Sequence, residues 1–161
     1  MSGGVTLRVA SEKDRNLYKN MFNIYQNELG LYCGEFQDVD GNGYYDAAST
    51  DMFFCGDRSV MPLVIEYDGR NVGLAVVTVA PYCPEGYDFC IQEFFVVGYY
   101  RGKGIAEAAI RWLFGAMRGK YAAAVQEKNE RAAEFFKAVF SSYGGKAEPY
   151  GNGFLLFTAE T

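Results

Sequence analysis

The sequence predicts a single α/β (α+β) domain spanning residues 1–161. Three observations carry that expectation. An apolar run ending in Phe94-Phe95-Val96-Val97 passes through Arg101-Gly102-Lys103-Gly104 directly into a segment of helical periodicity, so a strand feeds a helix. Strand-like runs also meet at Asp68-Gly69 and at Gly151-Asn152-Gly153, residue types that suit hairpin turns. Amphipathic helical spacing recurs near the start of the chain and again after residue 129.

In chain order, Thr6–Ala10 reads as a first strand. Ser11 with Asp14 three residues on is a capping box, opening a helix with apolar positions at Leu17, Met21, Ile24, Tyr25 and Leu29. From Gly30 to about Met61 the chain is rich in Gly, Asp and aromatics, which reads as a long loop with a short helix inside it. Loops of that length within a compact domain are usually functional. Pro62–Tyr67 and Asn71–Ala80 form a hairpin, a turn follows at Pro81–Gly86, and Asp88–Val97 is the strand before the glycine turn. The next helix carries Ile105, Ala109, Trp112, Leu113, Ala116 and Met117 on one face. Tyr121–Val125 is a buried strand, and a helix with Ala132, Phe135, Phe136, Val139 and Phe140 on its apolar face comes next. Two short strands, about Lys146–Tyr150 and Phe154–Ala159, end the chain.

Composition narrows the chemistry. Half of the residues are hydrophobic, which indicates a folded globule. The longest apolar stretch, Val72–Pro81, is too short to cross a bilayer, and the first residues lack the pattern of a secretory signal, so the cytoplasm is expected, with no membrane partner. Cys33, Cys55, Cys83 and Cys90 form no C-x-x-C pair and read as free thiols. The chain has no histidine, so a His-based triad or metal site is excluded and a general base must be a carboxylate, tyrosine, cysteine or lysine. A net charge of −5 argues against nucleic acid as a partner. The charge is also uneven: no basic residue lies between Lys19 and Arg58, while Glu28, Glu35, Asp38, Asp40, Asp46, Asp51 and Asp57 fall there. Such a segment suits a cationic ligand, and the cations near the glycine turn suit an anion.

A helix start leaves its first N–H groups unpaired and bears partial positive charge, which makes the turn at Arg101–Ala106 an anion cradle. It is neither a P-loop nor a dinucleotide turn. It resembles the acyl-CoA pyrophosphate loop of the GNAT superfamily of N-acetyltransferases, [QR]-x-x-G-x-[GA], which Arg101, Gly104 and Ala106 match. Asn129, Ala132, Phe135 and Phe136 similarly match the N-x-x-A-x-x-[FL]-[YF] that opens the family's last helix, and the order of elements agrees along nearly the whole chain. The resemblance implies the GNAT acyl-CoA N-acyltransferase fold, a central mixed, mostly antiparallel sheet flanked by helices.

It also implies acetyl-CoA as co-substrate and a small-molecule amine as acceptor, with a homodimer left open. Backbone groups of Phe95, Val96 and Val97 would meet the pantetheine arm, with an N–H near Val96 facing the thioester oxygen. Amides of Gly102, Lys103, Gly104, Ile105 and Ala106 would hold the pyrophosphate, with charge from Arg101 and Lys103. Asn129 would bond the arm, or else simply cap its helix. Glu93, a carboxylate in an apolar run, is the candidate general base, or else a strand-end carboxylate bonding its neighbours. Phe136 stands where many members carry a tyrosine that protonates the departing thiolate, so no acid is assigned. The helix also lacks the family's usual Gly-Phe ending.

Two alternatives stand beside this reading. The segment Asp38–Ser49 has Asp38, Asp40, Asn42, Gly43 and Asp46 at the spacing of a calcium loop, but Ser49 occupies the twelfth position and a surface turn is the simpler reading. A GNAT-like scaffold could also bind CoA or calcium without transferring anything, for which Phe136 is the best support.

Overall fold

The computed structural model describes residues 4–161. The described residues form seven strands and three α-helices, in the order β1 Val5–Val9, α1 Arg15–Leu29, β2 Val60–Tyr67, β3 Arg70–Thr78, β4 Phe89–Val96, α2 Ile105–Ala116, β5 Lys120–Gln126, α3 Glu130–Ser141, β6 Lys146–Gly151 and β7 Phe154–Glu160. The strands form one sheet in the order β1-β2-β3-β4-β5-β7-β6. Every neighbouring pair is antiparallel except β4 and β5, the two strands that α2 connects. The sheet is therefore mixed and mostly antiparallel, as expected.

The described chain divides into two compact units: Ser59–Thr161 with the first strand, and Ala10–Arg58. In the first unit, α2 and α3 cover one sheet face. Ile105, Ala109, Ile110, Leu113 and Phe114 of α2 and Phe136, Val139 and Phe140 of α3 pack on Ile65, Val77, Ile91, Ala123 and Phe157. Trp112 is 39% exposed, outside the face its spacing predicted; Ile110 and Phe114 take the buried positions instead. A chain of aromatic contacts runs from Phe114 through Phe140 to Phe157 (ring centroids 5.5 and 6.3 Å apart).

In the second unit, Ser11 N–H donates to Asp14 Oδ2 (2.8 Å), and a single 3-10 turn at Glu12–Asp14 precedes α1. The buried face of α1 is Tyr18, Met21, Phe22 and Gln26, which shares only Met21 with the predicted Leu17, Met21, Ile24, Tyr25 and Leu29. The cause is the short helix Asp51–Phe54, whose Phe53 and Phe54 rings meet Tyr18 edge-on at 5.8 and 5.5 Å. Ile24 is left 49% exposed.

Candidate active site

The sheet opens beside the glycine turn. β4 and β5 pair only at Phe89↔Tyr121 and Cys90↔Ala122, and then the ladder stops. Beyond that point β4 stays on β3 as far as Gly73↔Val96, while β5 follows β7 to Gln126↔Phe154. A gap between two parallel strands results, with helix α2 beginning just past its β4 side. Ala122 and Ala124 keep the β5 side low.

The register of β4 decides what faces that gap. Ile91 pairs with Val77 but Glu93 pairs with Val76, so Gln92 is an extra residue and the strand is bulged there. Strict alternation would have put Glu93 on the helix-covered face with Ile91. The bulge sends it to the opposite face, with Val76 and Phe95, and returns Phe94 and Val96 to the helix side. Gln92 itself is tied down, donating from Nε2 to Tyr82 O (2.9 Å) and Thr78 Oγ1 (3.2 Å). Glu93 is half-buried.

Of the three β4 residues proposed for the pantetheine arm, Val96 differs from its neighbours. Val97 N–H donates to Val72 O (2.8 Å), and Val97 O accepts from Tyr100 N–H (2.9 Å). Antiparallel alternation then turns Phe95 N–H toward β3 as well, and Val96 N–H toward the edge that β5 has left. Close approach of β3 holds this arrangement. A Cβ on Gly73 would stand 2.2 Å from Phe95 O, so only glycine allows the two backbones to lie this close.

The turn itself begins with a 3-10 turn at Gly98–Tyr100. Gly102 and Gly104 have φ of +73° and +78°, the left-handed region in which a Cβ is strained, and nothing lies within 4 Å of where a Cβ would stand on either. The first helical bond of α2 is Ala108 N–H to Gly104 O (3.0 Å), so the amides of Gly102, Lys103, Gly104, Ile105 and Ala106 precede the helical ladder. That backbone is open on its outer side, which fits an anion such as a pyrophosphate. The two cations behave differently from simple solvated charges. Arg101 folds back, with Nε donating to Val96 O (2.8 Å) and its guanidinium 5.3 Å from the Phe95 ring centre. Lys103 Nζ lies 4.0 Å from the Tyr99 ring centre. Tyr100 packs edge-on against Tyr67 at 6.3 Å, which ties the turn to the β2–β3 hairpin.

On the β5 side, Asn129 caps α3: its Oδ1 accepts from Ala132 N–H (3.2 Å), and its own N–H donates to Gln126 O (3.0 Å). Phe136 is buried in the core against Phe140 and Phe157. Its half-buried neighbour Phe135 stacks on Phe94 at 5.9 Å, so the α3 aromatics reach the β4 side of the gap through Phe94. Sequence spacing did not single out Phe94 and Phe135 as a pair, because they lie on different elements. A cavity of about 400 Å³ between α3 and the β6–β7 hairpin, lined by Lys137, Phe140, Leu155 and Phe157 among others, contains none of the candidate site residues.

Other ionisable groups are poor candidates for proton transfer. Burial pushes the Cys90 thiol up to about 12 and raises Cys83 as well, so neither is a thiolate at neutral pH. Tyr143 packs on Phe114 (4.8 Å) beneath Arg111, beyond the far end of α3 from Asn129. Tyr150 is half exposed on β6. In the Asp38–Ser49 loop, Asp40 Oδ1 accepts from the N–H groups of Asn42 (2.8 Å) and Tyr44 (3.0 Å), which hold its carboxyl below the usual range. Asp46 Oδ1 likewise accepts from Ala48 N–H (3.2 Å). Those oxygens close turns, and among the described residues no group of three or more His, Cys, Asp or Glu is arranged to hold a metal. Tyr44 and Tyr45 donate their hydroxyls to Asn20 and Asn27 of α1.

The acetyltransferase (GNAT) family model matches residues 19–140, through both compact units. Known structures share the fold. An acetyltransferase from Thermus thermophilus superposes with a TM-score of 0.75 at 16% identity, covering 100% of each chain. A protein from Corynebacterium glutamicum described as histone acetyltransferase HPA2 and related acetyltransferase gives 0.72 at 14%, covering 100% of this chain and 98% of that one. Diaminobutyrate acetyltransferase from Paenibacillus lautus, in complex with L-2,4-diaminobutyric acid and coenzyme A, gives 0.60 at 17%, covering 98% and 95%. No curated protein sequence gives a significant match. Among the described residues no helix is long and apolar enough to cross a membrane. Acetyl-CoA is the co-substrate of the matched family. The chain belongs to the GNAT family of acetyltransferases.

Proposed function

We propose that residues 1–161 act as one N-acetyltransferase domain, transferring the acetyl group of acetyl-CoA to a primary amine of a small, cationic acceptor. The observation that carries the reading is the opening between β4 and β5 directly beside the turn at Arg101–Ala106. Amides of Gly102, Lys103, Gly104, Ile105 and Ala106 bind the pyrophosphate; Lys103 adds charge, and Arg101 braces the turn onto Val96 while lending its own. The co-substrate supplies an activated acetyl thioester. Val96 N–H donates to the thioester oxygen as negative charge develops there. Val97 and Phe95, with their N–H groups turned to β3, hold the strand end in place for it. Asn129 Nδ2 donates to the pantetheine arm while Oδ1 caps α3, and Phe136 supports the aromatic wall through Phe94.

Glu93 takes the proton that the ammonium must lose before its nitrogen can attack, directly or through one water. Phe136 has no proton to give, and Tyr143 packs at the far end of α3. The sulfur therefore leaves as thiolate or takes a proton from solvent. The acceptor's charge class rests on the acidic segment, where Glu35, Asp38, Asp40 and Asp46 are exposed. The diaminobutyrate substrate of the Paenibacillus lautus enzyme is consistent with a small diamine. Cytoplasmic action as a monomer or homodimer, with no membrane or nucleic-acid partner, completes the reading. Phe136 also favours a second reading, CoA binding without transfer.

An amine panel incubated with acetyl-CoA and read by free-thiol release separates the two: transfer releases CoA only with an amine present. Glu93→Gln is expected to lower kcat about 100-fold or more while leaving acetyl-CoA affinity within about twofold. Wild-type turnover in that variant would make Glu93 a structural carboxylate.

A further inference from the structure

Gln126 ends β5 on the open side of the gap and carries a polar atom that the fold itself does not use. Along β5, Tyr121, Ala123 and Val125 enter the core beneath α2 and α3, so Ala122, Ala124 and Gln126 lie on the opposite face. Ala122 is level with Cys90, and the bulge at Gln92 puts Glu93 and Phe95 on that same face of β4. Gln126 thus sits across the opening from the β4 segment that runs to Val96. Its backbone is engaged: it pairs with Phe154, and its carbonyl accepts from Asn129 N–H (3.0 Å). Its side-chain Oε1 is buried and accepts no hydrogen bond among the described residues. A buried amide oxygen without a donor is destabilising, and such atoms are rare in native folds.

The position and chemistry of this oxygen define its missing partner. The donor has to reach the end of β5 where the ladder to β4 is absent. It is best matched by a neutral N–H, since Gln126 is a neutral carboxamide and an ammonium is better held by a carboxylate. The pantetheine arm of CoA carries two secondary amides, and each needs an acceptor on leaving water. We propose that Gln126 Oε1 accepts a hydrogen bond from an amide N–H of that arm, which makes Gln126 a cofactor-binding residue on the β5 side of the gap, opposite the β4 backbone. This assignment rests on the acetyl-CoA reading given above. It also links the two halves of the grip, because the peptide that places Gln126 receives the N–H of Asn129.

Two ligands test it by calorimetry: CoA, and adenosine 3′-phosphate 5′-diphosphate, which keeps the phosphates but lacks the arm. Gln126→Met has nearly the same shape and no carboxamide. It is expected to weaken CoA about tenfold and leave the nucleotide within about twofold. Unchanged CoA affinity, or equal loss for both ligands, overturns the proposal. Should the Met variant not fold, Gln126→Leu, which also lacks an acceptor, decides: an about tenfold fall in the CoA-to-nucleotide affinity ratio supports the bond, and a ratio within about threefold of wild type overturns it. Wild-type chain that binds neither ligand removes the CoA site and this assignment together. Binding that survives in wild type and variant alike removes only Gln126.

Discussion

The proposed anion seat rests on the backbone of Gly104. Its φ of +78° favours glycine, the space beside it is open, and its carbonyl accepts the first helical bond of α2. Gly104→Asp places both a strained Cβ and a carboxylate at the anion seat, so CoA affinity should fall at least about tenfold by calorimetry. Unchanged affinity would mean that the pyrophosphate binds elsewhere. Asp40 illustrates the opposite case, a carboxylate that sequence spacing offered to a metal and that the fold spends on its own turn. The N–H groups of Tyr44 and Asn42 lower its pKa from the ordinary carboxylate value, so the folded loop is favoured while Asp40 is ionised. That stabilisation is in place above the ordinary carboxylate value and disappears as pH falls through the lower folded value. Hydrogen exchange at Asn42 and Tyr44 should therefore lose protection in acid, and Asp40→Ala should lose it already at neutral pH. The glycines and the Asp spacing were readable in the sequence. Which oxygen bonds which amide was not, because that depends on how the loop closes.

Elements were legible to within a few residues wherever one face is apolar over a full period, as in α2, α3 and the β2–β3 hairpin. Two things escaped that reading. The buried stripe of α1 is set by Phe53 and Phe54, some thirty residues away in sequence, and periodicity within α1 could not weigh Tyr18 against Leu17. Asn20, Asn23 and Asn27 at helical spacing were the overlooked signal: Asn20 and Asn27 accept from the Tyr44 and Tyr45 hydroxyls, and Asn23 accepts from Tyr45 N–H and donates to the Gly43 carbonyl, which pins the acidic loop to α1. The bulge in β4 also has no signature in FCIQEFFV, yet it alone decides the face on which Glu93 stands. Gly73 is the matching device on β3. Gly73→Ala sets a methyl 2.2 Å from Phe95 O, which forces β3 and β4 apart beside Val96. Thermal melting should show destabilisation of about 1–3 kcal/mol, with weaker acetyl-CoA binding in whatever fraction remains folded. A variant with unaltered melting and binding would show that the strand end has slack to give.

For the molecule as a whole, charge is divided along the chain. Seven carboxylates and no Lys or Arg lie between Lys19 and Arg58, whereas the glycine turn and the residues after it are cationic. Exposed charges concentrate oppositely charged solutes and are screened beyond about 10 Å at 0.1 M salt. The KM for a cationic amine should therefore rise with ionic strength in steady-state assays while kcat changes little. A neutral or anionic acceptor turning over best, without salt dependence, would refute the charge argument and leave the family intact. The order of elements, the glycine turn and the lack of histidine could be read from the chain alone, because each is written in residue types at short, regular separations. The tertiary structure was needed to show where β5 leaves β4, that Val96 rather than Val97 turns its amide away from β3, and that Gln126 at the end of β5 carries a buried oxygen without a partner among the described residues. Those outcomes depend on register between strands distant in sequence, and a one-residue shift in register exchanges the faces of everything that follows.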